Sequence, residues 1–202
     1  MKKASIISLS VIAAVLLIDQ ALKIWIKTNM MLGEEFAVAG NWFYIHFVEN
    51  NGMAFGMELG GGWGKMLLSV FRIAAVAVIG VYLIRLCRRT KVDLFFVATV
   101  SLVFAGAIGN IVDSVFYGIL FDDSLGQVAT FLPEGGGYSS LLHGKVVDMF
   151  YFPLISGHFP SWMPVWGGQH FLFFRPVFNV ADAAISVGMA LIILFQKRFF
   201  RN

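Results

Sequence analysis

The sequence contains little charge and almost no cysteine. Only 13% of its 202 residues are charged and 58% are hydrophobic, whereas soluble domains usually carry about 25% charged residues. So little charge on a chain of this length indicates that much of the surface faces something other than water. The single cysteine, Cys87, excludes an internal disulfide and any metal cluster built from several cysteines. A membrane protein is therefore the first expectation.

Other functional signatures are also missing. The four histidines show neither an HExxH motif nor another close ligand spacing, so we expect no metal site. No glycine-rich phosphate loop is present. The net charge of +3 does not come from a basic stripe on a solvated face, so we expect no nucleic-acid partner.

Four apolar runs, at about 4–26, 66–86, 94–112 and 177–195, approach or reach the roughly 20 residues that span a bilayer. Because a backbone in lipid must satisfy its own hydrogen bonds, these runs should be helices. The first is long and lacks a convincing signal-peptide cleavage site, so we expect it to be retained. The sequence predicts an α-helical membrane protein with four transmembrane helices, residues 1–202 forming a single integral-membrane domain.

Lysine and arginine indicate the orientation. Most of them lie on the side that four spans assign to both termini: Lys2, Lys3, Arg85, Arg88, Arg89, Lys91, Lys197, Arg198 and Arg201. The positive-inside rule places this side in the cytoplasm. The loops at about 28–65 and 113–176 then face outward.

The outward loops have structure of their own. The stretch "NWFYIHFVENNGMAF" is rich in aromatic and β-branched residues, which predicts a small extracytoplasmic β-sheet. Residues 119–144, with "FDDSLG" and "PEGGGYSS", indicate a polar excursion rather than another span. The aromatic stretch "FPSWMPVWGGQHFLFF" is a poor spanning helix, and we expect it to lie in the membrane interface.

Three outward segments place an aspartate in an apolar setting: Asp113 in "GNIVDS", Asp148 in "KVVDMF" and Asp182 in "FNVADAAIS". Asn110 and Asn179 each precede an aspartate by three residues, so each amide should lie beside that carboxylate on a helix. An ionised carboxylate at mid-membrane costs at least about 2.5–3.5 kcal/mol. A single aspartate is explained by capping at a helix end, but several on one face indicate a functional site.

Two adjacent carboxylates cannot both ionise cheaply, so one keeps a proton near neutral pH. Such a pair supplies a general base and a general acid, which is the chemistry of an aspartic protease and requires no metal or cofactor. Two alternatives remain open. A cation transporter would distribute its acids through the membrane depth, and an assembly factor would use the aromatic outer loop for docking.

Five motifs resemble those of one family. They are "DQALK" (19–23), "NNGMAF" (50–55), "GNIVD" (109–113), "VVDMF" (146–150) and "FNVADAAIS" (178–186). In this order on four helices they resemble lipoprotein signal peptidase (signal peptidase II), a bacterial membrane aspartyl protease family.

The resemblance implies roles for individual residues. Asp148 and Asp182 form the catalytic pair, and Asp19 with Lys23 forms the first-helix pair, for which an i,i+4 contact is also expected from helix geometry. Further positions match family residues that support the site or bind ligand: Asn50, Gly52, Asn110, Asp113 and Asn179.

The resemblance also implies a substrate and a location. The substrate is a prolipoprotein whose cysteine already carries a diacylglyceryl group, and cleavage falls just before that cysteine. The enzyme needs no cofactor and acts as a monomer among lipids of the bacterial inner membrane, with its active site near the outer face.

Two features depart from the family pattern. The family has Arg after the aspartate of "GNIVD", where this chain has Ser114, so Arg72 or Arg175 would have to replace that charge. Residues 119–144 are also an insertion relative to the family. They could be a lid, a partner contact or a tolerated surface loop.

Overall fold

The long apolar runs fold into helices in a computed structural model that describes residues 2–51, 61–173 and 176–200. The helices that match the four predicted spans are α1 (Lys2–Asn29), α2 (Gly61–Cys87), α3 (Leu94–Val112) and α5 (Val180–Leu194). Within the described residues, three helices are long and apolar enough to cross a membrane. The fourth, α5, has 15 residues. It confirms an apolar helix at the predicted place, but the helix begins at Val180 rather than at residue 177.

α1 and α3 run toward the sheet, and α5 runs away from it. α1 and α3 end beside the sheet, whereas α5 begins there; we call this the sheet end of the molecule. The opposite end is closed by an apolar cluster from α1, α2 and α3 that includes Ala4, Leu86 and Phe96. There Arg198, in the short helix α6 (Gln196–Phe199), donates hydrogen bonds of 2.5 and 3.1 Å to Asp93.

Glycines allow α3 and α5 to approach closely. A Cβ atom on Gly106 would lie 2.2 Å from the Ala181 carbonyl oxygen, and one on Gly188 would lie 2.5 Å from Val103 Cγ2. Small residues of the two helices thus form the surfaces through which α3 and α5 pack. Away from these contacts, large apolar side chains such as Leu17 and Phe71 are exposed, as a lipid-facing surface requires.

A four-stranded antiparallel sheet lies at the sheet end, which confirms the predicted sheet. Its strands, in spatial order, are β1 (Glu35–Ala39), β2 (Phe43–Asn50), β3 (Val146–Tyr151) and β6 (Val177–Phe178). The aromatic stretch forms a separate hairpin of β4 (Ile155–His158) and β5 (His170–Phe173). Between its strands, Trp162 and Trp166 are exposed. Their location in the membrane interface stays a prediction.

The two faces of the sheet contact different parts of the protein, because successive side chains along a strand point to opposite faces. Phe47, Val147 and Met149 face the apolar core that the sheet shares with Ile26 of α1 and with Met30, which follows that helix. The intervening residue Asp148 therefore faces the other way, toward α3 and α5.

Residues 119–144, which we call the insert, form no further span. α3 continues through a π-helical turn (Asp113–Tyr117) into the three-residue α4 (Gly118–Leu120). The insert then folds back on the end of α1, where Val128 pairs with Met31. It returns past the π-helical turn so closely that a Cβ atom on Gly144 would lie 2.0 Å from the Asp113 carbonyl oxygen.

The α3–α5 contact generates a stability prediction. Gly106→Ala should lower the melting temperature in detergent, because the new methyl group must displace the Ala181 carbonyl; overpacking of this kind costs about 1–3 kcal/mol. Gly135→Ala is the matched control, since a Cβ atom there meets nothing within 4 Å. Equal melting temperatures for the two variants would contradict this account of the helix contact.

Candidate active site

Asp148 lies on β3 and is almost completely buried, with 3% of its surface exposed. Its carboxylate accepts a hydrogen bond from Asn50 Nδ2 and one of 2.7 Å from Asn179 Nδ2. Burial, followed by the charge of Asp182, raises the pKa of Asp148 to about 7, against the opposing effects of Lys23 and the two amides. Asp148 therefore exchanges a proton near neutral pH.

Asp182 lies in the first turn of α5. Asn179 is the N-cap of this helix, and its Oδ1 accepts the Asp182 backbone N–H at 2.8 Å. The Asp182 carboxylate accepts a hydrogen bond of 2.7 Å from Asn110 Nδ2. A carboxylate at this position is also stabilised by the positive end of the helix dipole.

Two amides connect the two aspartates. Asn179 Nδ2 lies 2.7 Å from Asp148 Oδ1 and 3.1 Å from Asn110 Oδ1, and Asn110 in turn donates to Asp182. Carboxylates from β3 and α5 therefore belong to one hydrogen-bonded network. The i,i+3 prediction was wrong for Asn110, because its amide reaches Asp182 of another helix rather than Asp113.

A buried lysine accounts for the different orientation of Asp113. Lys23 Nζ lies 2.9 Å from Asp19, 2.8 Å from Asp113 and 3.0 Å from Asn110 Oδ1. The side chains of Lys23, Asp19 and Asp113 are fully buried. The predicted i,i+4 contact of Asp19 with Lys23 is confirmed, and Asp113 is turned toward the same cation.

The two carboxylates that bind Lys23 also hold the backbone next to the network. Asp113 Oδ2 accepts the N–H of Val147 at 3.3 Å, and Asp19 Oδ1 accepts the N–H of Ala181 at 2.9 Å. Val147 and Ala181 are the residues immediately before Asp148 and Asp182. We call Lys23 with Asp19 and Asp113 the lysine centre. It holds the backbone next to Asp148 and next to Asp182.

Sequence reasoning missed Gln20 and Tyr117. Gln20 Nε2 donates to Asp113 Oδ1 at 2.9 Å and to Asp19 Oδ2 at 3.1 Å, and Gln20 Oε1 accepts from Tyr117 Oη at 3.1 Å. Gln20 lies within the "DQALK" motif, so its polarity in an apolar helix was an available signal. No sequence signal indicated Tyr117, because the direction of its side chain depends on the π-helical turn.

The remaining predicted positions have different outcomes. Gly52 and Arg175 lie outside the described residues. Arg72 of α2 is close enough for its charge to interact with Asp182. Its role as a replacement for the family arginine stays a prediction. Ser114 Oγ donates to the Asn110 carbonyl oxygen at 3.0 Å and reaches neither carboxylate of the pair in the described contacts.

The lysine centre generates a second stability prediction. Lys23→Met should destabilise the protein by about 3–5 kcal/mol, because it leaves buried carboxylates without their cation. Thermal unfolding in detergent measures the effect. Lys3→Met, at the exposed start of α1, is the control. A melting temperature for Lys23→Met close to that of the control would show that the buried ion pairs contribute little.

Comparisons with known proteins agree with this architecture. Residues 11–198 match the family of signal peptidase (SPase) II. The lipoprotein signal peptidase of Porphyromonas gingivalis is 53% identical over 189 residues, which cover 94% of this chain and 82% of that protein. The lipoprotein signal peptidase of Amoebophilus asiaticus is 38% identical over 182 residues, covering 89% and 73%.

A solved bacterial membrane enzyme shares 26% identity and a TM-score of 0.60, over 94% of this chain and 91% of that one. A second one, at 22% identity and a TM-score of 0.59, supports the fold. These matches confirm the predicted membrane fold and the predicted aspartic peptidase, and they favour it over the transporter and the assembly factor. The chain belongs to the signal peptidase II family.

Proposed function

We propose that this protein removes the signal peptide from prolipoproteins whose cysteine carries a diacylglyceryl group, cutting just before that cysteine, with Asp148 and Asp182 as its catalytic pair. The observation that carries the proposal is the chain of two amides that joins these carboxylates. The family match supports the substrate class, because relatives of high identity are lipoprotein signal peptidases.

The reaction needs one proton on the pair. The ionised carboxylate takes a proton from water, whose oxygen attacks the scissile carbonyl carbon while the protonated carboxyl donates to the carbonyl oxygen. When the intermediate collapses, the C–N bond breaks and the leaving nitrogen receives a proton from the carboxyl that was first the base. One hydroxyl of the intermediate becomes the new carbonyl and returns its proton to the carboxylate that was first the acid. The two steps belong to the pair as a coupled unit, so the acid and the base are not assigned to one residue each.

The amides give the pair its geometry. Asn179 and Asn110 supply N–H groups to Asp148 and Asp182, which support the ionised form and fix the direction of each carboxylate. Asn50, the last residue of β2, donates to the other carboxylate oxygen of Asp148. In this proposal, Asn50, Asn110 and Asn179 position the catalytic oxygens, and Lys23 with Asp19 and Asp113 fixes the backbone beside them.

The site should face the outer surface of the bacterial inner membrane, with both termini in the cytoplasm. The distribution of lysine and arginine supports this orientation. A site at the sheet end suits a substrate that is held by its apolar helix and its lipid. All groups of the proposed site come from one chain, so we propose that a monomer surrounded by membrane lipids is active.

Replacement of either aspartate tests the catalytic pair. Asp148→Asn and Asp182→Asn should each lower the cleavage rate by about 10²–10⁴, because either change removes the shared acid–base function. Mass spectrometry of a diacylglyceryl-modified precursor in membranes measures the cleavage. Glu134→Gln, at an exposed position of the insert, should cleave at the normal rate. Normal processing by either aspartate variant refutes the assignment.

The pH dependence of kcat/KM tests the raised pKa of Asp148. Activity should follow a bell shape, with an alkaline limb near pH 7, where the pair that contains Asp148 with its raised pKa loses the shared proton. Asn50→Ala removes a hydrogen bond that lowers this pKa, so the limb should move to higher pH while kcat falls. A flat profile between about pH 4 and 9 would contradict shared-proton chemistry.

A further inference from the structure

A second cluster of charged groups lies on the other face of the sheet. Lys27 of α1 pairs with Glu49 of β2 and donates a hydrogen bond of 2.7 Å to Ser124 Oγ. Glu49 also lies 3.2 Å from Lys145 Nζ. The side chain of Lys27 is fully buried and that of Glu49 is 2% exposed, whereas that of Lys145 is 32% exposed. The mechanism proposed above uses none of these residues.

The insert encloses this ion pair. Besides Ser124, it supplies the rings of Phe121 and Tyr138, whose centroids lie 5.5 and 4.9 Å from Lys27 Nζ. Tyr138 Oη also accepts the backbone N–H of Lys145 at 2.6 Å, just before β3 begins. The insert therefore forms the wall that separates Lys27 and Glu49 from water.

Stability alone does not account for such a pair. Removing two charges from water costs several kcal/mol per ion, and apolar residues of similar volume are often as stable or more so. A buried ion pair does, however, allow few arrangements of its surroundings, because any other arrangement leaves a buried charge without its partner. The pair is therefore suited to specify one geometry.

The geometry in question is the register of β2 on β3. Glu49 and Asn50 are opposite Val147 and Val146 and point to opposite faces, Glu49 toward Lys27 and Asn50 toward Asp148. The ladder is irregular between Ile45 and Val48, so hydrogen bonds alone fix the register weakly there. A slip of one residue would exchange the two faces. It would bring the Glu49 carboxylate to Asp148 in place of an amide.

We propose that the buried Lys27–Glu49 pair, enclosed by the insert, locks the register of β2 and thereby holds the Asn50 amide on Asp148. Lys27 and Glu49 are positioning residues that act through Asn50. The insert is the part of the fold that excludes water from their ion pair. The inference rests on the proposed function, since it takes Asp148 as a catalytic group.

An apolar replacement of the pair separates positioning from stability. Lys27→Met and Glu49→Met alone should each lower the melting temperature by about 5 °C or more, because one buried charge loses its partner. The double variant should recover most of this loss, since Lys145 can turn to solvent. Its kcat should nevertheless stay about tenfold or more below that of the wild type, with KM within about twofold, because the register is no longer specified.

A mutant cycle with Asn50 tests the route of the effect. Adding Asn50→Ala to the Lys27→Met/Glu49→Met variant should cause no further loss of kcat, because the lock acts only through that amide. Two outcomes overturn the inference: a double variant with normal kcat, or losses that multiply when Asn50→Ala is added. Neither outcome affects the catalytic pair, which the aspartate variants test separately.

Two further variants complete the experiment. Glu35→Gln removes the exposed pair that Glu35 forms with His46 across β1 and β2, and it should leave kcat unchanged. If the double variant does not fold, Glu49→Gln replaces it in the cycle, because it removes the charge of Glu49 from the pair while keeping the size of the side chain. Glu49→Gln should lower kcat, again without adding to Asn50→Ala; normal kcat overturns the inference.

Discussion

One buried cation makes the rest of the site possible. Carboxylates in an apolar surrounding are costly unless they are paired and hydrogen-bonded, and Lys23 pairs with both Asp19 and Asp113. Each of these carboxylates also accepts a backbone N–H, Asp19 that of Ala181 through its other oxygen and Asp113 that of Val147 through the oxygen that meets Lys23. The same charge therefore ties the start of α5 and the middle of β3 to α1. The backbone next to Asp148 and next to Asp182 is therefore held through one ammonium group.

The sheet divides the polar groups of this region into two separate clusters. Alternation along β2 and β3 sends Asn50 and Asp148 to one face and Glu49 to the other. The first face meets α3 and α5, where amides link carboxylates. The second meets α1 and the insert, where aromatic rings surround an ion pair. Because adjacent residues of one strand belong to different clusters, the register of a short sheet becomes a condition for the chemistry.

The sequence predicted the helices and most of the site, since apolar runs and short motifs are local signals. It could not predict which amide meets which carboxylate, because Asn110 and Asp182 come together only through the close contact of α3 and α5. The sequence also did not predict the Lys27–Glu49 pair. A lysine near a helix end suggests a side chain that reaches toward water, and only the insert, folded over α1, makes it a buried residue. Burial is a property of the whole fold, so no local pattern reveals it.

The two departures from the family pattern are parts of one structural feature. Ser114, where the family has an arginine, is 3% exposed, and its carbonyl oxygen accepts the N–H of Gly144 at the end of the insert at 2.9 Å. The insert passes so close to the π-helical turn that Gly144 has no room for a methyl group. Because Ser114 is almost completely buried, a guanidinium side chain at position 114 would have to displace the groups around it. A small residue at position 114 is thus compatible with the close return of the insert, and Arg72 of α2 lies near enough for its charge to interact with Asp182.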